Sequence, residues 1–205
     1  MQRQKGFTLV ELVLSMAFFS FIMLFVIVGF IHINRSYTRG LTVKEVQNVT
    51  RFVADSLTRS IRDANADSIR LETLTSDELR MCIGSTRYAW NMVDSGGNIT
   101  NEQFLDASRP LSLAVTHDGA ACQDGVHEHA GGTRTLVEGD LIVQYLDVSR
   151  IGSTSSFSVT VIISTDFRSH PDDFSGTGIN AACAVKVGDQ FCDVARIDTV
   201  VTARN

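Results

Sequence analysis

Residues 6–31 read GFTLVELVLSMAFFSFIMLFVIVGFI, and this stretch decides the fold. From Leu12 to Ile31 there are twenty consecutive residues without a formal charge. At about 1.5 Å of rise per residue they span about 30 Å as a helix, the thickness of a bilayer's hydrocarbon core. A soluble core helix shows a polar stripe, whereas this run offers only Ser15 and Ser20. A removed secretory signal has a shorter apolar region, about 7–15 residues, and a small-residue cleavage site after it. His32, Asn34 and Arg35 follow here instead. The segment predicts a retained membrane helix.

Glu11 stands at the start of this run. A lone carboxylate at the edge of a membrane helix is costly unless it is paired, neutralised or drawn to the interface. An interfacial acid at a helix start, where the macrodipole favours it, is the plain explanation. The residues before it suggest another. A basic, polar hexapeptide, MQRQKG, precedes Phe7. A cut after Gly6 would create an α-amine on Phe7, one helical turn before Glu11. That amine, from the same or a neighbouring chain, is a partner for the carboxylate.

GFTLVEL, with its basic leader and long apolar helix, resembles the prepilin signal of type IV pilins and type II secretion pseudopilins. The resemblance implies cleavage after Gly6 by a prepilin peptidase on the cytoplasmic face and N-methylation of Phe7. It further implies that Glu11 guides insertion of the subunit among other pilins through their N-terminal helices. The expected divisions are a leader at 1–6, a transmembrane and assembly helix at 7–33, an amphipathic continuation at 34–72 and a head at 73–205. Charge alone leaves orientation nearly balanced, with Arg3 and Lys5 on one side and Arg35 and Arg39 on the other. The resemblance and the cysteines set the N-terminus on the cytoplasmic side, with the helix crossing the cytoplasmic (inner) membrane once in contact with lipid. The head is then outside the cytoplasm, reaching a fibre or the cell surface after assembly.

Beyond the membrane segment, Val43, Val46, Val49, Val53, Leu57, Ile61 and Ala64 recur at intervals of three and four, one face of an α-helix. A continuous helix from about Phe7 to Arg70 would be roughly 95 Å long. Two helices hinged near Asn34–Gly40 are the alternative. The chain has two prolines, the first at Pro110, so no proline breaks the helix. Many pilins have such a proline, and Gly29 is the one candidate for local melting here.

After Leu74 the pattern shortens. Runs at 86–93, 111–116, 140–148, 157–165 and 195–203 are rich in β-branched or aromatic residues and bounded by turn signals. They predict an antiparallel sheet of four or five strands, with a hairpin from 140–148 to 157–165 and the outer helix over one face. The expected class is α+β, a long N-terminal helix on a β-sheet head, as the resemblance also implies.

Cys82, Cys122, Cys183 and Cys192 all lie in the head. Four cysteines allow three pairings, and the sequence alone does not choose. No C-x-x-C occurs, which weakens redox-active and zinc readings, and outside the cytoplasm an even set suggests disulfides. We favour Cys183–Cys192, closing a loop before the last strand, and Cys82–Cys122, bracing the first half of the sheet. The resemblance supports the first, since many pilins have a disulfide-bounded loop near the C-terminus. Ile197–Asn205 resembles the terminal strand of minor pilins of the PilW and pseudopilin J groups.

Residues 73–205 carry nine Lys/Arg against seventeen Asp/Glu, a poor surface for phosphate backbones over a wide area. His117, Asp118, Asp124, His127 and His129 cluster, but in a glycine- and acid-rich segment typical of an exposed loop. Asp172, Asp173 and Asp189 fit no defined calcium loop. No metal or cofactor is expected, and no nucleophile elbow, phosphate loop or zinc-protease helix occurs, so no enzyme is expected either. The leading function is a minor structural subunit of a type IV pilus. The alternatives are a pseudopilin of a type II secretion system and a tip subunit that binds DNA or a surface.

Overall fold

A computed structural model describes residues 8–75, 78–91, 112–117, 122, 133–166, 168, 171–184 and 192–204. Among the described residues one long N-terminal helix, α1 (Leu9–Asp63), precedes ten strands. These are β1 (Ile69–Thr75), β2 (Glu78–Ile83), β3 (Thr86–Asn91), β4 (Leu113–Thr116) and β5 (Thr133–Thr135). They continue with β6 (Leu141–Arg150), β7 (Ser156–Thr165), β8 (Phe174–Gly176), β9 (Ala182–Cys183) and β10 (Val194–Thr202). The hinge between two helices near 34–40 is not seen, because α1 is one helix. The chain divides into two compact parts at Leu41/Thr42.

In the first part α1 is exposed throughout. Its most apolar 18-residue window has a mean hydropathy of 2.7, and the helix is long and apolar enough to cross a membrane. The two serines of the uncharged run Leu12–Ile31 do not interrupt that surface. The Ser15 hydroxyl donates to Leu12 O at 2.9 Å and the Ser20 hydroxyl to Met16 O at 2.8 Å. Each polar group is thus satisfied within the helix, as a lipid-facing segment requires.

In the second part α1 buries Val46, Thr50, Val53, Ala54, Leu57 and Ile61, largely the face that the apolar spacing marks out. Buried Thr50 bonds back to Val46 O at 2.7 Å.

The helix ends at Asp63, short of the expected end near Arg70. Asn65 is extended, and its side chain accepts from the Asp67 N–H at 3.0 Å, starting a single 3₁₀ turn at Ala66–Ser68. The Arg204 N–H donates to Ala64 O at 2.9 Å, and the Ala66 N–H donates to Arg204 O at 3.0 Å. The C-terminal end of the chain therefore satisfies backbone groups that a longer helix would have bonded internally. The head accordingly begins at β1, before residue 73.

The single predicted sheet is two larger sheets and a small one. A five-stranded antiparallel sheet has the order β1-β2-β3-β4-β5, a three-stranded sheet the order β10-β7-β6, and β8 pairs with β9. The five predicted runs correspond to β3, β4, β6, β7 and β10, split between the two larger sheets. The β6–β7 hairpin forms as predicted. β1, β2, β5, β8 and β9 were not predicted.

Ile69, Met81, Tyr88, Trp90, Leu113 and Val115 from the first sheet share a core with Val143, Leu146, Val148, Phe157, Val159, Val161 and Ile163 from the second. The Trp90 indole N–H donates to Leu146 O at 2.8 Å and ties the two sheets together. The Tyr88 and Ser60 hydroxyls bond at 2.7 Å and tie α1 to β3. The other face of the first sheet is buried too, and it is polar: Arg80, Cys82, Arg87 and Thr116 are each 5% exposed or less. Burial, and then the neighbouring Arg80, lower the Arg87 pKa.

Candidate functional site

Gly6 and Phe7, which flank the expected cut, lie outside the described residues. Glu11 is in the first turn of α1, and its partner is Thr8, the residue before Leu9. The Thr8 N–H donates to Glu11 Oε2 at 3.0 Å, and the Thr8 hydroxyl donates to the same oxygen at 2.8 Å. In return the Glu11 N–H donates to Thr8 Oγ1 at 3.3 Å. This reciprocal pairing is a capping box, in which an N-cap Thr and the Glu three residues on satisfy each other's backbone donors.

The box explains how a carboxylate is tolerated beside an apolar helix. It accepts two hydrogen bonds from its own chain and sits at the positive end of the macrodipole. A carboxylate has about four lone-pair sites, so two Thr8 donors do not exhaust it. The arrangement can take a cation, such as an α-amine, while the Thr8 bonds stay in place. Sequence reasoning singled out Glu11 but missed Thr8. The signal was present, since T-x-x-E before an apolar run is the pattern of a capping box.

The cysteines form two disulfides. Cys82 is joined to Cys122 with a Cα–Cα distance of 5.9 Å, and Cys183 to Cys192 at 5.7 Å. The second holds the segment that lies against β6. There a bulge between Val143 and Tyr145 leaves Gln144 opposite no residue of β7. Gln144 is fully buried. Its amide N–H donates to Ser164 Oγ at 2.9 Å, and its amide oxygen accepts from the Gly178 N–H at 3.1 Å.

Two surface ion pairs accompany these features. Arg168 bonds Asp166 through Nη2 at 2.6 Å. Burial raises the Asp166 pKa, but the Arg168 hydrogen bonds outweigh it, and the net direction is down. Arg196 Nε bonds Asp198 at 2.7 Å, and the Thr160 hydroxyl donates to the same carboxylate at 2.8 Å. The Arg196 bond, then the Thr160 bond, lower the Asp198 pKa.

His117 is exposed and its Nδ1 is 3.2 Å from Thr86 Oγ1. Asp118, Asp124, His127, His129 and Asp189 lie outside the described residues. Among the described residues no three His, Cys, Asp or Glu side chains group to hold a metal ion. A groove of about 350 Å³ runs beside α1, lined by Glu45, Val49, Phe52, Arg134, Leu136 and Glu138 among others.

No curated protein and no solved structure matches the chain. Residues 1–27 match the prokaryotic N-terminal methylation motif, and this span holds Gly6, Phe7, the Thr8–Glu11 box and the apolar run up to Ile27. The chain therefore carries the N-terminal signature that supports a pilin or pseudopilin, processed by a prepilin peptidase and anchored in the inner membrane.

Proposed function

We propose that the chain is a minor structural subunit of a type IV pilus. In this reading it is cut after Gly6, methylated on Phe7 and assembled with other pilins through its N-terminal helix, and it catalyses no reaction itself. The observation that carries the proposal is the methylation motif over residues 1–27, together with the apolar first part of α1, which is exposed throughout. Such a surface needs lipid before assembly and other apolar helices after it. The two disulfides favour a head on the oxidising side of the membrane. The similarity of Ile197–Asn205 to terminal strands of minor pilins supports a low-copy subunit over the main fibre subunit.

Mass spectrometry of the mature protein tests the processing step, with a methylated Phe7 N-terminus as the expected result. An intact Met1 start would overturn it. Imaging of a tagged head tests the assignment to a pilus, with label on surface fibres as the expected result. Label confined to the envelope, with export of a cargo protein lost on deletion, would move the subunit to a secretion system.

A further inference from the structure

β10 is an edge strand, and backbone bonds at its ends show which of its residues face outward. The Thr165 N–H donates to Asp193 O at 3.1 Å, and the Ala203 N–H donates to Ser155 O at 2.8 Å. In an antiparallel ladder such residues alternate. Ala195, Ile197, Thr199 and Val201 therefore bond β7, while Val194, Arg196, Asp198, Val200 and Thr202 aim their N–H and C=O groups at the opposite rim. Arg204, next in that series, confirms the direction, because its backbone bonds Ala64 and Ala66 rather than β7. Among the described residues no strand pairs with the rim from Val194 to Thr202.

This rim lacks several of the usual protections of an edge, and its charged residues are Arg196 and Asp198. It is nine residues long, has an unbroken register with β7, and contains neither proline nor lysine. On its inner face Ala195 and Ile197 pack on the core but are only partly covered.

We infer that the rim takes β10 of a second copy, antiparallel, with Ile197 opposite the partner's Ile197. The sequence Val194-Ala-Arg-Ile-Asp-Thr-Val200 complements itself when read backwards. In this register Arg196 faces the partner's Asp198, Val194 faces the partner's Val200, and the two-fold axis repeats both pairs. The outward-facing residues of the two strands then fall opposite each other, as hydrogen-bonded pairs require. The neighbouring symmetric registers put Asp198 opposite the partner's Asp198, or Arg196 opposite the partner's Arg196. Like charges directly opposite are unfavourable, so charge selects one register. A two-fold contact closes on itself, so it pairs two copies and does not extend a fibre. The inference is independent of the pilus assignment.

The test is the mass of the detergent-solubilised full chain by light scattering across a concentration series. The wild type is expected to form a dimer. Arg196→Asp or Asp198→Arg alone puts like charges together at both symmetric positions and is expected to weaken the dimer about tenfold or more. The double exchange restores opposite charges and is expected to restore the dimer. Val200→Pro removes an N–H that points at the rim and not at β7, so it is expected to abolish the dimer while the thermal melt shows a folded head. A wild type that stays monomeric, or pairs only with a different protein, overturns the inference. A dimer unmoved by the charge variants also overturns it, because association then runs through the apolar anchors that these variants leave unchanged.

Discussion

Glu11 has two roles that substitution can separate. As the partner of Thr8 it needs only an acceptor, which glutamine also supplies. As the partner of an α-amine it needs its charge. Glu11→Gln is therefore expected to keep slow hydrogen exchange at the amides of Thr8 and Glu11, leave processing after Gly6 intact and reduce incorporation into filaments. Incorporation equal to wild type would leave capping as the whole role. Glu11→Val removes both functions and is expected to lower incorporation and speed that exchange. Thr8→Val removes the cap hydroxyl and is expected to cost about 1 kcal/mol of helix-start stability, with Thr8→Ser restoring it. Equal exchange in the Val and Ser variants would remove the box from the account. These contacts span three residues, and a local pattern of that kind is legible in a sequence.

At the scale of elements, the same local patterns mislead where a distant segment decides. The apolar face of α1 was legible from Val46 to Ile61 because those side chains recur at helical spacing. Its end was not, because the groups that stop it include the backbone of Arg204, far along the chain. β1 and β2 were missed for a related reason. Ile69-Arg-Leu-Glu and Glu78-Leu-Arg-Met do alternate, but the helix was expected to run on into β1, and Leu, Glu, Arg and Met suit a helix as well as a strand. The bulge at Gln144 likewise follows from burial against Gly178 and leaves no mark in the sequence. Two predictions separate backbone from side chain here. Deleting Arg204 and Asn205 removes two backbone bonds to the helix end and is expected to cost about 1–3 kcal/mol, measured by denaturant unfolding. Arg204→Ala keeps those bonds and is expected to melt within about 0.5 kcal/mol of wild type. Equal losses would assign the lock to the arginine side chain. Gln144→Leu leaves the buried Gly178 N–H without its acceptor and is expected to cost about 1–3 kcal/mol.

Over the whole molecule, stability is distributed between a core that α1 shares with two sheets and two covalent closures. Acid should act weakly on this arrangement. Asp166 has its folded pKa lowered, so its contribution is present above the unfolded aspartate range and is lost as pH falls through the folded value. The pair is partly exposed, so Asp166→Asn is expected to remove less than about 1 kcal/mol near neutral pH and almost nothing in strong acid. The disulfides should matter more, and unequally. Cys82–Cys122 closes a separation of 40 residues and Cys183–Cys192 one of 9. Loop-closure entropy in the unfolded chain then assigns about 4 kcal/mol to the first and about 2.5 kcal/mol to the second. Replacing Cys82 and Cys122 together by serine should therefore lower the melting temperature more than replacing Cys183 and Cys192. The shorter closure should act locally, because it tethers the segment whose Gly178 N–H bonds Gln144, and its loss should speed exchange at that amide first. If the short-loop variant melts lower than the long-loop one, the native contacts of the 171–184 segment, and not chain entropy, set what that disulfide contributes.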